Sequence, residues 1–161
     1  MNYWKCNRWK KTDTSKFFNK KGIHLRIDPA VDPEVRRACL EFSKWIRSQY
    51  QFPIRVIVYI KATEYIIAQN GESVFGTCWR PCEKSFPPYI RIATGDYEKM
   101  LSECSQDEAL AAILHCMASM LTHYYMWLND ISFSSQNEEE KTADKYASKI
   151  IQKYAETRDH P

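Results

Sequence analysis

The residues best suited to chemistry lie in one run, ASMLTHYYMWLND at 118–130, where a single histidine, His123, sits among apolar and aromatic side chains. His115, Cys116 and Met120 are close to it in sequence. Positions four apart on a helix differ by about 40° and 6 Å, so two side chains so spaced can share one metal ion. Cys116, Met120 and His123 fall on one stripe, a thiolate, thioether and imidazole set that suits copper(I) better than zinc. The ends of that stripe are about 10.5 Å apart, so only two of the three reach a common ion. His115 and His123, about 80° and 12 Å apart, cannot share one. The plainer reading comes first: Met and Cys at helical spacing fill a core, and His123 is a buried imidazole donating to a carbonyl or carboxylate. A cysteine nucleophile at Cys116 served by His115 or His123 is disfavoured, because adjacent helical residues point about 100° apart and apolar surroundings raise a thiol's pKa. Cys78 and Cys82 are spaced to place two thiolates on a metal, but no second pair completes a tetrahedral site. His24 and His160 have no partner at ligand or triad spacing, and there is no glycine-rich phosphate loop.

These residues need elements to position them. Asp32-Pro33-Glu34 opens a helix with an acidic cap and proline at its first position. Val35, Ala38, Cys39, Phe42, Trp45 and Ile46 then recur at helical spacing to about Tyr50, where Phe52-Pro53 ends the helix. Ile54 to Lys61 reads as a strand, residues 74–80 as a second and Tyr89 to Thr94 as a third, closed by Gly95-Asp96. Ser105-Gln106-Asp107-Glu108 and Ser135-Gln136-Asn137-Glu138 are capping boxes, opening helices to about Leu128 and Thr157. Asn129-Asp130 is the stop of the first. This order predicts an α+β fold: an N-terminal helix, a small mixed or mostly antiparallel sheet of three to four strands, a long site helix and a C-terminal helix.

Ala112-Ile113-Leu114, the run Ala118 to Tyr125 and the segment Glu140-Lys141-Thr142-Ala143-Asp144-Lys145-Tyr146-Ala147 together resemble the small soluble zincin metallopeptidases of the ImmA-like and minigluzincin type. Those proteins carry A-x-x-x-A-H-E-x-x-H on one helix and E-x-x-A-x-x-[FY]-A on the next. The resemblance covers residues 23–156, and its specific part is the two helices. It puts Ser119 and His123 at the two histidine-ligand positions, Met120 at the catalytic glutamate and Glu140 at the third ligand. It also implies an edge strand beside the site helix, which we expect to be Tyr89 to Thr94.

A zinc site of this kind needs two helix ligands, a carboxylate and a general base for the metal-bound water. Ser119 is a poor ligand and Met120 cannot take a proton, so the motif is degenerate. Met120 in place of an acid adds apolar burial and removes a like-charge conflict with Glu140. The expectation is a non-hydrolytic pseudo-peptidase with no cofactor, holding an extended peptide or protein segment in a groove beside the site helix. One alternative is an active zinc peptidase using His123, Glu140 and a substitute ligand, His115 or Cys116. Another is an engineered descendant of an active enzyme.

The whole chain is compatible with this. Its 161 residues, 44% hydrophobic and 27% charged, fit one globular domain, and only four glycines argue against a turn-rich all-β fold. No run of about 18 apolar residues and no secretory leader is present, so a cytoplasmic protein with reduced thiols is expected. We divide the chain into a basic aromatic arm at 1–22, one domain at 23–157 and a tail at 158–161. Residues 1–21 hold seven Lys or Arg against Asp13 alone, interleaved with Tyr3, Trp4, Trp9, Phe17 and Phe18. That composition suits single-stranded nucleic acid or an acidic partner. We favour instead aromatics docked on the core with lysines left in water, which disfavours nucleic acid on residues 1–21, and expect no membrane partner.

Overall fold

The computed structural model describes all of residues 1–161. Three 3-10 turns, Tyr3–Lys5, Arg8–Lys11 and Thr14–Lys16, lead into β1 (Ile23–Ile27), α1 (Pro33–Gln49) and β2 (Val56–Lys61). A two-stranded hairpin, β3 (Ile66–Ile67) and β4 (Ser73–Val74), precedes β5 (Gly76–Trp79) and β6 (Tyr89–Ala93). Three helices complete the chain: α2 (Tyr97–Glu103), α3 (Gln106–Leu128) and α4 (Gln136–Ala155).

The expected caps are present. Asp32 Oδ1 accepts the Glu34 amide at 2.8 Å, Ser105 Oγ the Glu108 amide at 3.1 Å and Ser135 Oγ the Glu138 amide at 3.2 Å. Each satisfies an amide that the first helical turn leaves without a partner. Asp130 ends α3 in the left-handed region at φ 52°, where a short polar side chain is tolerated best among non-glycines. Lys84 Nζ seals that end by donating to the Trp127 carbonyl at 2.6 Å and to Asp130 Oδ1 at 2.9 Å.

The main sheet has the order β1-β2-β6-β5. The fold is α+β with a mixed sheet, but β1, β2 and β6 run parallel and only β5 is antiparallel. Two expectations are corrected. A strand, β1, precedes the first helix, so α1 is a crossover between parallel neighbours rather than the first element. Tyr89–Ala93 is an inner strand; the edges are β1 and β5, and β5 is the one that lies along α3.

The strands alternate. Val56, Val58, Ile60, Ile90 and Ile92 face inward at 0% exposure, under α1 and α3, with Phe42, Ile46 and Leu121 above them. Burying each such side chain stabilises the fold by roughly 1.5–3 kcal/mol. The opposite face is half-exposed and carries Arg26 over the Tyr59 ring, Tyr59 edge-on to Tyr89, and Tyr89 stacked on Trp79. Helices thus cover one face of the sheet, which leaves β5 as a free edge lying along α3. No helix is long and apolar enough to cross a membrane.

The arm at 1–22 is packed against this body. Trp4 is 2% exposed, its Nε1–H donates to Thr122 Oγ1 at 2.9 Å, and Tyr3 stacks on Tyr146. Trp9, Phe17 and Phe18 lie half-buried against the core, while every lysine of the arm is exposed. At the other end, Arg158 lies over the Tyr154 ring, and the Pro161 carbonyl accepts from Arg37 Nη2.

Candidate functional site

β5 and α3 meet at Gly76. In the antiparallel register Gly76 and Cys78 pair with Ile92 and Ile90, so they face inward, while Thr77 and Trp79 pair with Arg91 and Tyr89 on the outer face. A Cβ on Gly76 would stand 2.7 Å from Cys116 Sγ and 3.2 Å from Met120 Cγ. Only glycine lets the strand approach the helix this closely. We expect Gly76→Ala to cost about 1–2 kcal/mol through overpacking. Cys116→Ala, which removes the clashing sulfur, should recover part of that loss in a double-mutant urea-denaturation cycle.

Around this contact runs a pocket of about 670 Å³, lined by β5 from Gly76 to Trp79. Ser119, Met120 and His123 of α3 line it from the inner side, with Gln136 and Glu140 of α4 beside them. Trp79, Tyr89 and Arg91 line it from the outer side, and Gln69, Asn70 and Glu72 of the β3–β4 turn close one end. The four positions singled out in the sequence, 119, 120, 123 and 140, therefore share one wall.

The closest partner of His123 is a different residue, Glu139. His123 is 8% exposed, and its Nδ1 lies 2.8 Å from Glu139 Oε1. The Arg80 guanidinium donates to the same oxygen. Burial pulls the His123 pKa below its ordinary value, and the Glu139 hydrogen bond and the nearby Glu140 only partly oppose this, while Arg80 adds to it. Burial pushes Glu139 upward, but the hydrogen bonds from His123 and Arg80 prevail and hold its carboxyl below the usual range. An ionised carboxylate can only accept, so the neutral imidazole carries its proton on Nδ1 and keeps the Nε2 lone pair.

The sign of the pH effect follows. A histidine whose folded pKa is lowered binds its proton more readily unfolded, so the folded state loses stability as pH falls below about 6.5. His160 is the opposite case: its hydrogen bond to Asp107 at 2.8 Å raises its pKa. In an NMR titration His123 should titrate below the free-histidine value and His160 above it. Between pH 7 and pH 5 the wild-type urea midpoint should fall relative to that of His123→Gln, in which the opposing contribution of His160 is unchanged.

The other residues considered for a metal do not join His123. His115 Nε2 turns to α4, 3.2 Å from Ser148 Oγ and 3.4 Å from Asp144 Oδ1. Cys116 packs beneath Gly76, where burial pushes its thiol up to about 12, and burial does the same to Cys78. All six cysteines are free, and Cys82 is exposed. Glu140 Oε1 accepts from Gln136 Nε2 at 2.8 Å. No group of three His, Cys, Asp or Glu side chains is placed to hold one ion. Zinc is therefore not fitted by this donor set, which offers one imidazole nitrogen, a hydroxyl, a thioether and a carboxylate.

Sequence reasoning missed Glu139 and Arg80. A signal for Glu139 exists: the buried residues of α4, Ala143, Ala147, Ile150 and Tyr154, extend backwards by one turn to position 139. None marks Arg80, which reaches Glu139 only because the chain leaves β5 beside the start of α4.

No protein-family model matches the chain, and neither the curated proteins nor the solved structures contain a match to it. What the site can do rests on its own geometry. It offers an unpaired strand edge, a pocket with polar and aromatic walls, and one neutral imidazole held by a carboxylate.

Proposed function

We propose that the chain is a zincin-like pseudo-peptidase, a non-hydrolytic protein that binds an extended peptide or protein segment along β5. The observation that carries this reading is the free edge of β5, lying against the helix that bears Ser119, Met120 and His123 and bordered by the pocket. A strand added to this edge would gain main-chain hydrogen bonds, and its side chains would alternate between the α3 wall and the Trp79, Tyr89 and Arg91 wall. The likeness to a zincin site is supported by the pairing of His123 with Glu139. A metal-ligating histidine commonly gives its second ring N–H to a carboxylate, and His123 keeps that arrangement although Ser119 and Met120 no longer supply a ligand or a base.

The test is a peptide array followed by calorimetry of the hits. Strand addition predicts that N-methylation at alternate backbone positions of a bound peptide abolishes affinity, and that Trp79→Ser weakens it. An array without ligands, or hits indifferent to N-methylation, would sink the proposal.

A further inference from the structure

The arm carries a second surface, independent of the groove. Lys5, Arg8, Lys10, Lys11, Lys16, Lys20 and Lys21 are all exposed, and every ion pair in the molecule lies elsewhere. Seven cations against Asp13 give residues 1–21 a charge of +6; with +3 for the whole chain, the remaining 140 residues carry −3. Such segregation concentrates positive charge along the surface that the arm covers.

This face is fixed in place. Asn129 Oδ1 accepts the Trp9 amide, the Phe18 amide donates to the Lys84 carbonyl, and the Arg55 amide donates to the Lys20 carbonyl. Folding also brings cations from elsewhere to it. Lys149 lies over the Tyr146 ring on which Tyr3 stacks, Lys153 lies over the Tyr50 ring that packs on Trp4, and Arg55 Nε donates to the Lys21 carbonyl.

We infer that this face binds the phosphate backbone of nucleic acid without reading bases. The docking of the aromatics decides among polyanions. Trp4 is buried, and Tyr3, Trp9, Phe17 and Phe18 are half-buried against the core, so none projects into solvent as the open stacking platform that single-strand binding uses. Only Met1 among the large apolar residues of the arm is exposed, too little to anchor in a lipid surface or to form the apolar centre of a protein interface. What remains is an ordered array of ammonium and guanidinium groups, the chemistry that displaces counterions from a duplex.

The experiment is fluorescence anisotropy of the full chain with a labelled random-sequence duplex of about 20 base pairs. Five phosphate contacts would give a slope of log affinity on log salt of about −4 to −5, with micromolar binding at low salt. The Lys5→Ser/Arg8→Ser/Lys10→Ser/Lys11→Ser variant keeps every docked aromatic and should lose at least about tenfold in affinity, with a flatter slope. Should that variant not fold, Lys16→Ser/Lys20→Ser/Lys21→Ser replaces it with the same expectation. Trp79→Ser, which alters only the groove, should bind the duplex as the wild type does. Absence of binding at 50 mM salt, unchanged binding by the charge-stripped variants, or uptake by phosphatidylserine vesicles in preference to duplex would each overturn the inference and leave the groove reading untouched.

Discussion

Gly95→Ala is expected to destabilise the protein by about 3 kcal/mol, at the upper end of overpacking substitutions. A Cβ at Gly95 would stand 2.5 Å from the Thr63 carbonyl carbon, 2.6 Å from the Ala62 oxygen and 2.6 Å from the Glu64 nitrogen. All three are backbone atoms, so no rotamer change relieves the clash. The Gly95 amide also donates to the Thr63 carbonyl at 2.8 Å, while Thr94 binds the Lys61 carbonyl through both its amide and its hydroxyl. These bonds tie the ends of β2 and β6, and the added methyl must stretch them. A domain of this size holds roughly 5–15 kcal/mol in total, so the melting temperature should fall by about 10 °C. An unchanged melting curve would show that the close approach is misjudged.

The second large effect concerns Trp4. With the ring 2% exposed, its centroid 5.0 Å from those of Tyr50 and Tyr125, and its N–H on Thr122, truncation of a buried tryptophan costs about 3–5 kcal/mol where the surroundings stay in place. The arm has an easier response, which is to leave the core. Trp4→Ala should therefore keep a folded body while trypsin cuts the lysine-rich arm at least tenfold faster than in wild type, because proteolysis follows the population of the open form. Trp4→Phe should fall between. Equal cleavage of all three proteins would mean that the arm is held by other contacts.

What was legible in the sequence is local. The caps at Asp32, Ser105 and Ser135 and the 3.6-residue periodicity placed α1, α3 and α4 to within a few residues, and β-branched runs placed β2 and β6. The arm's aromatics were read as docked, and they are. Pairing between distant segments was not legible. Nothing local states that Ile23–Ile27 lies parallel to Val56–Lys61, or that the short Gly76–Trp79 segment, not the more strand-like Tyr89–Ala93, takes the edge. Ile90, Ile92 and Ala93 of β6 are buried whereas no residue of β5 is, so the inner place goes to the strand with more apolar surface to cover. Three consecutive glutamates, 138, 139 and 140, point about 100° apart on α4, so only the packing of α4 on α3 decides which one meets His123.

The measurement that most directly tests the zincin reading is metal content. Wild-type protein and the Ser119→His/Met120→Glu variant, both purified without metal affinity resin, would be compared by elemental mass spectrometry after zinc loading and desalting. The reading predicts a metal-free wild type and one zinc per chain in the variant, held by the introduced imidazole one turn before His123, by His123 itself and by Glu140 as third ligand, with Glu139 orienting His123. A folded variant that takes up no zinc, or a wild type that already carries one equivalent, would contradict it.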